Sequence, residues 1–182
     1  MIVAFDTATS FGAVCGTSAG GRGRAERAGD VLVAVHELVG DPRALEGIVV
    51  GRGPGSFTSI RIGLAVARSL ALSLGVPVAG ASTLDAYAGA TPVIDARRGE
   101  VFAPGPRVCR PEELDVDGLT LVGDGAIRYR SVFEAAGAAV PGDDDPAHLP
   151  DPLLLLERAG AFGAAELVEP LYVREPDARP QA

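Results

Sequence analysis

Residues 51–74 read Gly-Arg-Gly-Pro-Gly-Ser-Phe-Thr-Ser-Ile-Arg-Ile-Gly-Leu-Ala-Val-Ala-Arg-Ser-Leu-Ala-Leu-Ser-Leu, a loop of glycine and proline that leads into a long run without proline. If the run is a helix, each residue advances about 100° around its axis. The apolar side chains then fill one continuous arc, wide enough to cover a sheet. This arc consists of Ile60, Gly63, Leu64, Val66, Ala67, Leu70, Ala71 and Leu74. Three of these residues, Gly63, Ala67 and Ala71, are small enough to let a neighbouring backbone approach closely.

The opposite flank of this helix carries fewer charged side chains than the outer face of an ordinary surface helix. It presents Arg61, Ala65, Arg68 and Leu72, spaced by four, three and four residues, beside two serines. A flank that is small, apolar and lightly charged indicates that another element covers it. We therefore predict that the helix has the core of this chain on one side and a partner protein on the other.

Composition and charge exclude several functions. The chain has 182 residues, 47% hydrophobic and 22% charged, which is typical of one globular domain or two small halves. All 16 basic residues are arginine, which excludes a Schiff-base lysine, a phosphate-binding P-loop lysine and a lysine general base. The net charge of −8 argues against direct binding of a polyanion, because phosphate neutralisation needs clustered cations.

The sequence predicts a cytoplasmic protein that does not associate with membranes. Cys15 and Cys109 are too few and too far apart for a disulfide framework or a zinc site, so we expect reduced thiols. Asp6 interrupts the first apolar run, which argues against a signal peptide. Arg61 and Arg68 argue against a membrane span in the long helix.

Apolar runs and turn residues alternate in a way that predicts two similar halves. The first half, residues 1–90, carries strands over 2–5, 12–17, 22–27, 47–51 and 78–81 and helices over 31–39, 59–74 and 82–88. The second, residues 91–182, begins with a strand that ends in Asp95, as the first strand ends in Asp6. A strand over 119–122 and helices over 126–136 and 153–162 follow. We expect the last of these helices to pack back onto the rest of the chain. We interpret this order as a weak internal duplication with a boundary near residues 89–92.

The second half is shorter than a full repeat. After Phe102 the chain turns away at Ala103–Pro106, with no strand predicted to follow directly. The final residues, Pro176–Ala182, are expected to fray.

Asp6, Thr7 and Thr9 are weak candidates for a cofactor site. A carboxylate at a strand end, followed by a hydroxyl-rich turn, can position a magnesium ion and a phosphate. The alternative is an aspartate that caps its own turn. A second open case is Gly53–Thr58, where free amides at the helix start suit an anion. There the alternative is that the glycines only allow the turn and Ser56 caps the helix.

Other catalytic patterns fail on residue spacing. Ser56 occupies the position where a Gly-x-Gly-x-x-Gly dinucleotide fingerprint needs its third glycine. The histidines, His36 and His148, lack the His-x-x-x-His spacing of a zinc protease. We therefore predict no catalytic residue and no metal site.

Several segments resemble the bacterial TsaB family. They are residues 1–9, 51–63, 75–77, 82–84 and 94–102, and Pro170–Arg174 is similar to that family's closing Pro-x-Tyr-Leu-Arg segment. The resemblance extends over the chain from end to end. It implies an α/β fold of the ASKHA type (actin-like ATPase), in which two RNase H-like halves carry mixed sheets flanked by helices.

The resemblance also implies a function. TsaB proteins are non-catalytic dimerisation subunits of the complex that makes N6-threonylcarbamoyladenosine in tRNA. They pair with the paralogue TsaD, which carries the metal-binding histidines and the active site, and the ATPase TsaE joins them. The resemblance thus implies that this chain is not an enzyme and meets tRNA only through the complex. A homodimer of the isolated chain, and weak ATP or ADP with magnesium at the subunit interface, are further expectations.

The family's pairing surface is built from its first two helices, here residues 31–39 and 59–74. The residues expected at this interface are Val35, Leu38, Ser56, Arg61, Leu64, Ala65, Arg68 and Leu72. Two departures from the family are Ala28–Asp30, where a His-Ser pair is usual, and Ser59, which replaces a glycine. The alternative function is a small ATP- and magnesium-dependent enzyme of the same fold, using Asp6 and Asp95. A glycoprotease would need metal ligands that the sequence lacks.

Overall fold

The computed structural model describes residues 1–174, and the first half of the chain builds one sheet. Its strands are β1 (Ile2–Asp6), β2 (Ala13–Thr17), β3 (Arg22–Ala25), β4 (Gly47–Gly51) and β5 (Val78–Ala81). Their order in the sheet is β3-β2-β1-β4-β5. The β1–β2 and β2–β3 pairs are antiparallel, whereas the β1–β4 and β4–β5 pairs are parallel. The prediction of a mixed sheet in an α/β fold is confirmed.

Helices cover both faces of this sheet. On one face lie α1 (Val31–Val39) and α2 (Phe57–Leu74), and on the other lies α5 (Pro152–Glu157). Because side chains alternate along a strand, Val3 and Phe5 pack toward α1 and α2, while Ala4 packs toward Leu155 of α5. The C-terminal helix therefore packs back onto the first sheet.

The small residues of α2 face this chain's own sheet. Gly63, Ala67 and Ala71 are all buried in the core beneath α2. A Cβ atom added at Gly63 would lie 2.5 Å from the Thr7 hydroxyl oxygen at the end of β1. At Gly63 the close approach is thus made to the side chain of Thr7, the residue that follows β1.

Among residues 1–174 there is one helix, α2, whose length and apolar composition would allow it to cross a membrane. Length and composition are the only criteria behind this statement. In this fold its apolar side packs on the sheet, with Ile60 and Leu64 almost completely buried. The apolar arc that gives α2 its membrane-like composition therefore forms part of the core of the first half.

The second half contains smaller sheets. β6 (Thr91–Pro92) pairs in parallel with β10 (Leu121–Val122), and an antiparallel sheet has the order β7-β8-β9, over Ile94–Arg97, Glu100–Ala103 and Arg107–Cys109. Two short helices follow, α3 (Asp124–Arg128) and α4 (Arg130–Ala135). Val93, Val101 and Phe133 belong to a separate core beneath them.

Several predicted elements differ from the observed ones. The helix expected over 82–88 is a 3-10 turn at Thr83–Ala86, and the one expected over 126–136 is interrupted at Tyr129. The helix expected over 153–162 ends at Glu157, because the following chain extends along the edge of β5, where the amide of Gly160 donates to the carbonyl of Gly80. The turn at residues 103–106 leads into β9, which was not predicted. The predicted frayed end, 176–182, lies outside the described residues, and the division at residues 90 and 91 stays a prediction.

Candidate functional site

A cavity of about 460 Å³ lies between the two halves of the chain. The turn after β1 and the loop before α2 form one wall, and the end of β7 with the C-terminal segment forms the other. Its lining includes Ala8–Ser10, Gly55–Ile60, Asp95–Arg98, Phe102, Asp124 and Leu171–Arg174. The cavity is the place where a small ligand could contact both halves, so its polar groups decide what it could bind.

The loop before α2 is held against the turn after β1 by a glycine. A Cβ atom at Gly55 would lie 2.3 Å from the carbonyl oxygen of Ala8, so only glycine allows this approach. Next to it, the amide of Ser56 donates to the same carbonyl at 2.8 Å. The Ser56 hydroxyl accepts from the amide of Ser59 at 3.4 Å and so caps α2.

Asp6 is buried two residues before Ala8, which lines this cavity, and each of its carboxylate oxygens accepts one hydrogen bond. One of its carboxylate oxygens accepts from the amide of Ala8 and the other from the hydroxyl of Thr83, both at 2.6 Å. The residue is only 1% exposed, and the absent side chain of Gly51 makes room for it, because a Cβ atom there would overlap the carboxylate. Burial raises the pKa of Asp6, and the charge of Asp124 raises it further, while the two hydrogen bonds lower it.

These contacts show what the three residues of the predicted cofactor site do within this chain. Asp6 caps the turn after its own strand, as the alternative interpretation held. Thr7 is equally buried, and its hydroxyl donates to the carbonyl of Ser59 at 2.7 Å. Of the three candidate residues, only Thr9 lines the cavity. Asp6 and Thr7 are thus buried behind the lining and hydrogen-bonded within the first half, and a magnesium or phosphate site at these residues stays a prediction.

Asp124 joins the two halves and was missed as a functional residue. Its carboxylate accepts from the amide of Ser10 at 2.8 Å and from the amide of Asp95 at 2.9 Å. The sequence placed it in a Gly-Asp-Gly turn after a strand, but that pattern alone is typical of any tight turn. Only the fold brings this turn to the end of β1.

Asp95, the second carboxylate of the alternative enzyme, is paired with arginine. Its side chain lies 3.2 Å from a guanidinium nitrogen of Arg97 and 3.5 Å from one of Arg128. It also accepts from the Arg97 amide at 2.9 Å. Within residues 1–174, no group of three or more His, Cys, Asp or Glu side chains is arranged to hold a metal ion.

Tyr87 contributes a buried hydroxyl near these carboxylates. Among the described residues it provides the buried side-chain oxygen that lacks a hydrogen-bond partner. Burial raises the pKa of Tyr87 well above its usual value, and the charges of Asp124 and Asp6 add to this effect. A raised pKa favours the neutral phenol over the tyrosinate.

An aromatic and arginine cluster lies at one side of the cavity. The rings of Phe57 and Tyr172 stack with their centroids 5.1 Å apart. The guanidinium of Arg61 lies 3.9 Å above the Phe57 ring and donates to the Tyr172 hydroxyl at 2.9 Å. Further along, Arg174 pairs with Glu100 and donates to the carbonyl of Ala96. The C-terminal segment thus binds to both halves and closes this side of the cavity.

The outer face of α1 and α2 carries exposed apolar side chains. Leu72 is 88% exposed on α2, and Val33 and Leu32 are 57% and 47% exposed on α1. Arg61, Ala65 and Arg68 are also exposed. We call the surface made by Leu32, Val33, Ala65 and Leu72 the α1–α2 face. No other element among residues 1–174 covers this face.

Other residues predicted at the partner interface lie elsewhere. Val35 and Leu64 are 3% and 4% exposed and belong to the core of the first half, so their prediction as partner contacts is wrong. Leu38 is half-buried against the same core, and Ser56 lines the cavity. The guanidinium of Arg68 donates to the carbonyl of Val168 at 2.7 Å, which ties it to the C-terminal segment.

The sequence missed Leu32 and Val33, although it contained a signal for them. An apolar face over Val31, Val35, Leu38 and Val39 leaves these two side chains on the opposite side of α1. Exposed apolar residues there are as informative as Leu72 on α2.

Comparisons with known proteins give consistent results. Residues 30–112 match a family model described as TsaD, tRNA N6-adenosine threonylcarbamoyltransferase. The chain is 30% identical to the tRNA threonylcarbamoyladenosine biosynthesis protein TsaB of Haemophilus influenzae, over 71% of this chain and 70% of that protein. It is 42% identical to the protein of the same name from Bacillus subtilis over 83 residues, 39% of this chain and 36% of that protein.

A solved structure extends the likeness to the whole fold. YeaZ from Pseudomonas aeruginosa superposes with a TM-score of 0.75 at 26% sequence identity, covering 94% of this chain and 99% of that chain. Together with the TsaD-type match, this superposition identifies the predicted actin-like fold.

Proposed function

Because this chain belongs to the TsaB family, we propose that it takes part in tRNA threonylcarbamoyladenosine biosynthesis as a non-catalytic subunit that pairs with TsaD. The names of its relatives support the process. The pairing itself is supported by one observation of this molecule, the exposed α1–α2 face. Apolar side chains exposed on the outside of two neighbouring helices are typical of a surface that another protein covers.

The match to the TsaD family supports a partner of related fold. The matched residues, 30–112, include both α1 and α2. A TsaD protein therefore carries a related pair of helices, and two such pairs could pack side by side with their apolar faces together. Such packing would stabilise the complex roughly in proportion to the apolar surface that it removes from water.

The absence of a catalytic role is part of the same proposal. Asp6 is occupied by two hydrogen bonds and Asp95 by two arginines, which leaves neither carboxylate ready to bind a metal. The net charge of −8 supports contact with tRNA only through the complex. The proposal has three further parts. The chain recruits the ATPase TsaE, ATP or ADP binds weakly with magnesium at the subunit interface, and the protein is located in the cytoplasm.

Replacement of one exposed apolar residue by a charged one tests the pairing. We expect Leu72→Glu to weaken binding to purified TsaD about 100-fold, since it would place an unpaired carboxylate in an apolar interface. Val33→Glu should act in the same direction. Arg68 is a poor choice for this test, because its guanidinium also holds the C-terminal segment. Affinity is measured by calorimetric titration, and the fold of each variant by circular dichroism.

Leu119→Glu is the matched control, because Leu119 is an exposed leucine of the second half and belongs to neither helix. It should bind TsaD as the wild type does. Equal affinity of wild type and Leu72→Glu would refute the assignment of this face. The same titrations with Mg-ATP test the alternative enzyme, for which tight binding with turnover by the isolated chain is required.

The isolated chain is expected to form a homodimer through the same face, because the apolar side chains otherwise stay in water. Light scattering of the wild type should report a dimer, and Leu72→Glu should shift it to a monomer. A dimer that persists unchanged in Leu72→Glu would have to use another surface.

A further inference from the structure

A second cavity, also of about 460 Å³, shares no lining residue with the cavity between the halves. Its floor is the part of the first sheet formed by β2 and β3, on the face that carries α5. Its opposite wall is the segment 146–152, which leads into α5. Most of the lining is apolar, with Val14 on the floor and Leu149, Pro146 and Pro150 in the wall. Nothing in the proposed subunit function uses this cavity.

Strand register directs two arginines toward it. In the antiparallel β2–β3 pair, Arg24 lies opposite Val14 and Arg22 opposite Gly16, and paired side chains project from the same face. That face is the α5 side, because a Cβ atom at Gly16 would lie 2.9 Å from the ring of Pro152. The two arginines are therefore about 7 Å apart along β3 and both face the segment 146–152.

The charges that line this cavity do not balance. Three charged side chains are present, Arg22, Arg24 and Asp151. Arg22 and Asp151 form a bidentate pair, with nitrogen to oxygen distances of 3.3 and 3.0 Å. In the part of the chain that the structure describes, the Arg24 guanidinium forms neither a hydrogen bond nor an ion pair. Arg24 is exposed to solvent, so one cation without an ion pair lies at the open edge of an apolar space.

The nearby acidic run does not neutralise Arg24. Asp143 pairs with Arg130, and the carboxylate of Asp145 accepts from the amide of Ala147 to cap the turn at Pro146–His148. None of the run, Asp143–Asp145, lines the cavity.

We infer that this cavity binds a small amphipathic carboxylate, with its apolar body over Val14 and Leu149 and its carboxylate on Arg24. A space of this volume falls in the range of small-molecule sites, which are mostly apolar with a few polar groups that fix orientation. The planar guanidinium fork of arginine suits a carboxylate in particular. A medium-chain or aromatic monocarboxylate has the required size and single charge.

Octanoate is the probe for this site. We expect it to shift the amide NMR signals of Val14, Arg24 and Leu149 in the ¹⁵N-labelled full chain, with a dissociation constant of about 1 mM or tighter. 1-Octanol and octyltrimethylammonium have the same chain length without the negative charge. Both should bind more weakly than octanoate.

Substitutions of Arg24 separate the charge from the cavity. Arg24→Gln should weaken octanoate binding at least about fivefold, because it removes a charged hydrogen-bond donor. Arg24→Lys keeps the charge and should lose less. Arg27→Gln is the matched control, since it removes an exposed arginine just beyond β3 that does not line the cavity. Its affinity should stay within about twofold of wild type.

Three results would overturn the inference: no shift at these amides with octanoate, octanol binding as tightly as octanoate, or unchanged affinity in Arg24→Gln. The same spectra report whether each variant is folded. Loss of TsaD binding has no bearing on this outcome, so the site and the subunit function can fail separately.

Discussion

Replacement of Asp6 distinguishes a structural carboxylate from a metal ligand. In the fold its two oxygens accept from the Ala8 amide and the Thr83 hydroxyl, and the residue is 1% exposed. Asp6→Ala leaves both donors buried without an acceptor. Asp6→Asn can keep both contacts, because its carbonyl accepts from the amide and its NH₂ group donates to the hydroxyl oxygen.

The magnitudes follow from these contacts. A buried donor left unpaired costs about 1–3 kcal/mol, so we expect Asp6→Ala to lower the free energy of unfolding by about 3 kcal/mol. For a chain of this length that corresponds to a fall in Tm of roughly 6–12 °C. Asp6→Asn removes the cost of burying a charge and should stay within about 1 kcal/mol of wild type at neutral pH.

The pH dependence gives an independent test. Burial raises the pKa of Asp6 in the folded state above its ordinary value of 3.8. The folded state therefore holds the proton more tightly than the unfolded state does. The contribution of Asp6 to stability is complete below pH 3.8 and is lost as the pH rises through the raised pKa. Asparagine does not titrate, so Asp6→Asn should gain stability relative to wild type across this window.

Urea unfolding of wild type, Asp6→Asn and Asp6→Ala at several pH values measures these differences. Asp85→Asn is the matched control, because Asp85 is exposed on the neighbouring turn. It should change stability by no more than about 0.5 kcal/mol. The reasoning is wrong if Asp6→Asn is as unstable as Asp6→Ala at neutral pH. That result would mean that the negative charge itself is required, as it would be for a bound cation.

Three further substitutions or reactions test other contacts. Gly63→Ala should destabilise the fold by about 1–3 kcal/mol in thermal unfolding, since its Cβ atom would lie 2.5 Å from the Thr7 hydroxyl oxygen; a gain in stability would contradict this packing. His148→Leu should cost about 2–4 kcal/mol, because the buried imidazole accepts from one backbone amide and donates to a backbone carbonyl; a neutral result in urea would contradict those bonds. Cys15 is buried and its pKa is raised to about 11, so a thiol reagent should modify Cys109 in the native protein and Cys15 only on unfolding, and rapid native labelling of Cys15 would be inconsistent with the fold.

The fold of the first half could be predicted because its signals are local. Short apolar strands, the capping Ser56 and the terminating Gly75 are all visible in the sequence, and α2 differs from its prediction by two residues at the start. The second half was less predictable because its elements are short and are ended by distant contacts. The helix beginning at Pro152 ends at Glu157, since the chain beyond it bonds to the edge of β5, an event that no local pattern indicates.

The functional residues were harder to predict than the strands. One side of a helix can be calculated from residue spacing alone. The sequence therefore predicted correctly that one flank of α2 is exposed, with Arg61, Ala65, Arg68 and Leu72. Val35 and Leu64 were misplaced because the width of the buried arc depends on how closely the neighbouring helix and sheet approach. Asp124 could not be identified, because its partner at residue 10 is 114 positions away in sequence.

The contacts around the central cavity bear on the choice between a subunit and an ATP-dependent enzyme. Separation of the two halves would be one way for the alternative enzyme to exchange nucleotide at the cavity between them. Here Asp124 of the second half bonds to the Ser10 amide of the first, and Tyr172 of the C-terminal segment bonds to Arg61 on α2. Opening the cavity would break both bonds, at a cost of about 1.5–3 kcal/mol for each one that involves a charged group. The α1–α2 face lies within the first half, so pairing through it leaves both bonds intact, whereas nucleotide exchange by separation of the halves would break them.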